Sequence, residues 1–338
     1  MKPSLEAAPI PVRRNATSVL PAAFLSVAAL AVGCGSSSSS TTTSTSTNQY
    51  VIAYKAAAWS SAVTVSYPSS CEMTITTTGK PDYTPNAYYL APASGSQTPV
   101  AYTSATNTPL AVISYASTIA PSLQGSSTSI DICPTLAGTT TATSGGTIGY
   151  LISGTAMFDS FEMNASTAAI GDNASYTFID ANNISQTAYF LDQCASHSNG
   201  TTWHAHGNPN CVTSQVDTGA GPSHIIGVAL YGFPIYGGRD INGNPIAVSQ
   251  LDACNGITSA TPEFPNGAYH YVLPIGVTSK YASMNCYSGT VNAKTLFVAA
   301  KLACNMKTMF AMIQQQKGKP KMAAMVMPDG TTMPPGAM

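Results

Sequence analysis

Three short blocks of sequence occur twice, in the same order, between residues 148 and 272 of the chain. The first copy opens Ile148-Gly149-Tyr150-Leu151-Ile152-Ser153-Gly154-Thr155-Ala156-Met157-Phe158, and the second opens Ile226-Gly227-Val228-Ala229-Leu230-Tyr231-Gly232-Phe233-Pro234-Ile235-Tyr236. The Ile-Gly pair, the second glycine and the closing aromatic residue coincide. Further on, Leu191-Asp192-Gln193-Cys194 answers Leu251-Asp252-Ala253-Cys254, and Trp203-His204-Ala205-His206 answers Tyr269-His270-Tyr271-Val272. The spacing within the opening block predicts a buried strand, a glycine turn and a second short strand. Such recurrence implies one module used twice. Duplicated modules often pack about an approximate two-fold axis, so matching residues are expected close together.

The rest of the chain reads as mostly β with a few short helices. Of 338 residues, 13 + 14 = 27 are charged, or 8%, against about 25% in an ordinary soluble domain. Ser, Thr, Asn, Gly and Tyr supply the polarity instead. A net charge of −1 offers no field for nucleic acid. Between 50 and 145, runs such as Val63-Thr64-Val65-Ser66-Tyr67 and Met73-Thr74-Ile75-Thr76-Thr77 alternate with Pro, Gly, Ser and Asn, which is strand-and-turn composition. The duplicated module is expected over 146–290. A helix is expected over 291–316, where good helix formers run without Gly or Pro, and a flexible tail over 317–338. Eight of the 13 methionines lie from Met306 onward; thioethers suit Cu(I), and methionines also simply pack helices.

Residues 1–34 read as an export signal. Arg13 and Arg14 precede an apolar stretch from Val19 to Val32 that is too short for a membrane span. It ends Leu30-Ala31-Val32-Gly33-Cys34, which looks like a lipobox, with Cys34 acylated and anchoring the protein to a membrane. An ordinary cleaved signal is the alternative. Residues 35–49, nearly all Ser and Thr, then form a tether. Export to the cell envelope implies disulfides. Each Asp-x-Cys cysteine is expected to bond the next cysteine after its histidine motif, giving Cys194–Cys211 and Cys254–Cys286. Cys71 and Cys133 remain to pair, and Cys304 is the odd thiol.

The second copy carries a family resemblance. It holds His224-Ile225-Ile226-Gly227, Gly232-Phe233-Pro234-Ile235-Tyr236-Gly237, Leu251-Asp252-Ala253-Cys254-Asn255-Gly256, Tyr269-His270-Tyr271 and Cys286. Over about residues 146–290 the chain resembles the YHYH-domain family, secreted proteins named for a Tyr-His-Tyr-His string. The resemblance implies export and a doubled module, and brings no settled activity. Tyr231 stands where the family usually has an acidic residue, and Val272 stands at the fourth letter of the motif. The first copy keeps both histidines and neither tyrosine.

His204 and His206 are two apart, so on a strand they share a face, and paired imidazoles are a common half-site for Cu, Zn or Ni. His270 matches His204, and the two-fold packing is expected to bring these three together with His224 nearby. Asp192 and Asp252 are candidates to orient a ligand histidine from behind. An equal alternative gives the histidines hydrogen bonding and the aspartates turn capping. The expected function is therefore an envelope protein binding a transition metal, with copper first. The alternative is a surface interaction or structural module for a protein or small-molecule ligand, and an unrecognised hydrolytic enzyme is weaker still. No Gly-x-Ser-x-Gly elbow with a base, and no phosphate-binding glycine loop, supports serine chemistry or nucleotide binding.

Overall fold

The computed structural model describes residues 48–290 apart from 94–95, 103–108, 144 and 163–165, together with two short strands near the C-terminus. It opens on the helix Gln49–Ala56, whose first turn is capped by the Asn48 side chain accepting from the Tyr50 amide. That helix buries Val51, Ala53 and Tyr54, and the Tyr54 hydroxyl donates to the Gly232 carbonyl at 2.6 Å.

Strands β1 (Val63–Ser69), β2 (Glu72–Thr77), β3 (Tyr88–Pro92), β4 (Ala101–Tyr102) and β5 (Pro109–Ser114) follow. A helical stretch from 115 to 122 leads to β6 (Ser126–Asp131) and β7 (Leu136–Ala142). In β2 the apolar residues recur at every second position, so Met73 and Ile75 point inward and the strand keeps one face wet. The strands β1-β2-β6 form one sheet against the helix Gln49–Ala56 and the central sheet, and their buried side chains share one core with it.

The remaining elements are β8 (Gly149–Leu151), β9 (Ala156–Met157), β10 (Ser175–Ile179), β11 (Ser185–Tyr189), β12 (Ser196–Ser198), β13 (Trp203–Ala205) and the helix Asn210–Val216. After them come β14 (Ile225–Ala229), β15 (Pro234–Tyr236), β16 (Gly256–Ser259), β17 (Ala268–Val272) and β18 (Cys286–Gly289). Eight of these strands make the central sheet, in the order β12-β13-β9-β8-β14-β15-β17-β16. Strands β8, β14, β15 and β17 are buried at every residue, as their predominantly apolar sequences, broken only by His270 in β17, require when both faces are covered.

The sheet reads the same outward in both directions from its middle. At the centre β8 and β14 run antiparallel, with Gly227 opposite Leu151 and Gly149 opposite Ala229. The Ile152 amide donates to the Ile226 carbonyl at 2.8 Å, and the Leu230 amide to the Ile148 carbonyl at 3.0 Å. Each inner strand turns back through a glycine at positive φ, Gly154 at 83° and Gly232 at 87°. A Cβ on Gly232 would run into the Asp131 carbonyl, so that turn needs glycine for space as well as for φ. Strand β13 then adds parallel to β9, as β17 adds parallel to β15. Each edge is an antiparallel hairpin partner, with His197 opposite His204 on one side and Ile257 opposite His270 on the other.

The stretches expected as separate regions on either side of residue 145 are joined in two sheets. Strand β11 pairs with β3 in the sheet β10-β11-β3-β5-β4, and β18 pairs with β7. Among the described residues three disulfides join the expected partners, Cys71–Cys133, Cys194–Cys211 and Cys254–Cys286, with Cα separations of 5.0, 5.3 and 4.7 Å. Among the described residues no helix is long and apolar enough to cross a membrane. The expected leader, the tether up to residue 47 and the helix over 291–316, with Cys34 and Cys304, lie outside the described residues, whereas Asn48 and Gln49, expected in the tether, cap and open the first helix. Within the tail, Met325–Val326 pairs with Thr332–Met333.

Candidate metal centre

The site grows out of one turn and one hairpin. The Asp192 carboxylate accepts from the amides of Cys194 at 2.8 Å and Ser196 at 3.0 Å, and Ala195 takes a positive φ of 54° between them. The other carboxylate oxygen accepts from the hydroxyls of Tyr83 at 3.0 Å and Tyr89 at 3.2 Å. Burial raises the Asp192 pKa, while these four bonds favour the ionised carboxylate. The turn delivers β12, whose loop back to β13 is closed by the Asn199 side chain accepting from the Thr202 amide at 3.0 Å. Side chains directly opposite in such a pair lie on one face, so His197 and His204 face together. His206 follows two residues after His204, with its amide donating to the Ala195 carbonyl at 2.9 Å.

Three imidazoles converge there. The Nε2 of His206 lies 3.2 Å from the Nε2 of His197 and 3.1 Å from the Nε2 of His204. The ligand atoms of all three lie within 4.8 Å of one another. The opposite nitrogens are committed elsewhere: His206 Nδ1 meets the Asp159 carbonyl at 2.7 Å, and His204 Nδ1 meets the Thr202 carbonyl at 3.1 Å. His197 is hydrogen-bonded to the Phe190 backbone. A carbonyl only accepts, so each Nδ1 facing one carries the proton, and the Nε2 atoms of His204 and His206 present lone pairs to each other. His204 and His206 are only 2% and 3% exposed. Burial pushes the pKa of His197 and His204 well below the usual imidazole value, and that of His206 down to about 4, so the rings are neutral at pH 7.

Buried lone pairs that face one another repel unless something positive stands between them. A metal ion about 2.0–2.1 Å from each nitrogen sets neighbouring ligands roughly 2.9–3.4 Å apart at octahedral to tetrahedral angles. The observed 3.1 and 3.2 Å fall inside that range. Backbone carbonyls behind the rings fix tautomer and orientation, as the outer partners of ligand histidines do. Phe158 stacks on His204 with centroids 3.8 Å apart, and Phe190 meets His197 edge-on at 4.8 Å, so the rings are held by packing as well.

The structure brings together two of the four expected histidines and adds His197. His270 lies in β17, five strand steps from β13, or roughly 24 Å at ~4.8 Å per step. Its Nδ1 meets the Ala268 carbonyl at 3.0 Å and its ring packs beside Tyr236. His224 pairs with Glu263 at 2.9 Å. The expected convergence of all four fails because β8 and β14 form the antiparallel pair at the middle of the sheet, with β13 and β17 on opposite sides of it. Neither aspartate orients a histidine: Asp252 braces its own turn, accepting from Cys254, Gly256 and the Tyr269 hydroxyl, as Asp192 does.

Residues 127–245 and 243–289 match the family model described as YHYH protein. Neither a curated protein nor a solved structure matches the chain. The His204 to His206 segment and the strand bearing His270 both fall within the matched stretch, and over that stretch the chain carries the YHYH domain.

Proposed function

We propose that this is an exported cell-envelope protein that binds one transition-metal ion, copper or zinc, through His197, His204 and His206. The observation that supports the reading is the set of neutral, buried imidazoles turned nitrogen to nitrogen with their other nitrogens on backbone carbonyls. Imidazole suits Cu, Zn and Ni, and copper stands highest in the order of divalent affinities. Three protein nitrogens leave a position for water or a small ligand, the ligand count of sites that do chemistry. Export is supported by the bonded cysteine pairs and by the Arg13–Cys34 segment. A lipid on Cys34 would hold the protein at the membrane, and Cys34→Ala should then release it to the soluble fraction.

The test is metal analysis of untagged protein purified from envelope fractions, repeated after loading with Cu(II) or Zn(II). One ion per chain is expected for the wild type and none at this site in His204→Ala or His206→Ala. Equal metal content in wild type and variants would leave the interaction-module reading in its place.

A further inference from the structure

A cleft of about 320 Å³ lies beside the candidate metal centre. Ala156 stands opposite Tyr150 in β8 and opposite His204 in β13, so the three side chains share one face of the central sheet. Tyr150 and Ala156 line the cleft, as does Phe158, whose ring also stacks on His204. The floor is aromatic and held in place. The Tyr150 hydroxyl bonds the Thr128 hydroxyl at 2.9 Å and accepts from the Ser126 hydroxyl at 3.2 Å. Trp203 donates from Nε1 to the Tyr83 hydroxyl at 3.0 Å, and its ring meets Tyr89 and Tyr115 edge-on.

The mouth is polar. Gln124, Ser126, Thr147, Asn199, Thr201 and Thr202 surround it, each exposed or half-buried. The hairpin loop that carries the last three is tied across the mouth: the Gln124 amide donates to the Thr201 carbonyl at 2.9 Å, and the Ser122 hydroxyl donates to the Gly200 carbonyl. The walls are therefore formed before anything binds, which removes an ordering cost. Among the described residues that line the cleft, none is charged.

That lining selects a ligand class. A charged ligand would lose hydration there and meet no opposite charge. A wholly apolar one would take water from the hydroxyls and carboxamides of the mouth and return no hydrogen bond. A molecule with apolar C–H faces and a rim of hydroxyls meets both demands, with its faces towards the aromatic floor and its hydroxyls towards the mouth. The volume lies at the small end of ligand pockets, which run from about 300 to 1,000 Å³. From this lining we infer that the cleft binds a neutral sugar, one ring at a time, either free or as a unit of a glycan chain. The inference stands apart from the reading of the three histidines as a metal site.

The test is a ligand-observed NMR titration of the full chain in EDTA, so that its outcome does not depend on any metal. The probes are glucose, galactose, mannose and N-acetylglucosamine, each as the free sugar and as a disaccharide, with glucuronic acid and glucosamine as charged controls. At least one neutral sugar should bind, and neither charged control should bind as tightly. Tighter binding of the disaccharide would assign a glycan chain as the source, and equal binding a free sugar. Gln124→Ala with Thr147→Val, two changes at the mouth that leave the core and the histidines untouched, should weaken binding by about tenfold or more, as the loss of two ordinary hydrogen bonds requires. Failure of all four neutral sugars to bind, binding of a charged control at equal strength, or unchanged affinity in the folded double variant would each overturn the inference.

Discussion

The Nε2 atoms of His204 and His206 lie 3.1 Å apart, while the Nδ1 of each ring faces a backbone carbonyl. Neither ring can turn its protonated nitrogen inward without abandoning that carbonyl, so the pair is set to receive a cation. Replacing His206 with Ala removes the nitrogen closest to both others. Zinc affinity by competition with a chelator should fall by more than about 100-fold, beyond the ~10–100-fold typical of groups behind a ligand. An unchanged affinity would place the ion elsewhere.

Metal and stability are linked. An ion that binds only the folded chain adds about 2.7 kcal/mol at 100 times its dissociation constant. Zinc should therefore raise the thermal midpoint, and EDTA should return it to the metal-free value. His204→Ala should show no zinc-dependent shift in the same calorimetric scan.

Acid should act on the metal-free protein in a defined window. His206 has a folded pKa of about 4, lowered by burial, against about 6.5 in an unfolded chain. Between those values the unfolded state binds the proton and the folded state does not, so stability declines as pH falls from about 6.5 towards 4 and is flat above. His197 and His204 are shifted the same way and steepen the decline. Denaturant titrations at pH 7.5, 6 and 5 measure this, and replacing His206 with Leu should flatten the curve.

The disulfides should separate stability from binding. His197, His204 and His206 all lie inside the loop closed by Cys194–Cys211, whereas Cys254–Cys286 encloses His270. Opening either bond with a Cys→Ser pair should cost on the order of 2–4 kcal/mol. Only Cys194→Ser with Cys211→Ser should also weaken zinc binding. Equal affinities for the two variants would show that the loop does not position the ligands.

Much of this was legible in the sequence because it depends on short spacings. Cysteines placed after Asp and after a histidine motif marked their own partners, and His204 and His206 shared a face by strand alternation alone. His197 was missed because its place is set across a hairpin. The Asn199-Gly200 loop between Ser196-His197-Ser198 and Trp203-His204-Ala205 was the available signal. The convergence of His270 with His204 failed for a topological reason: the pairs Gly149–Ala229 and Gly227–Leu151 occupy the middle of the sheet, and the strands bearing the two histidines lie on opposite sides of them. The role of Asp192 could not be read locally, since its partners Tyr83 and Tyr89 come from more than a hundred residues away.

The Cys194–Cys211 bond also ties the candidate centre to the redox state of its surroundings. The segment between these cysteines carries every ligand of the candidate centre, so one covalent loop confines all three imidazoles, and reducing that bond would loosen them together while leaving His270 inside the loop closed by Cys254–Cys286.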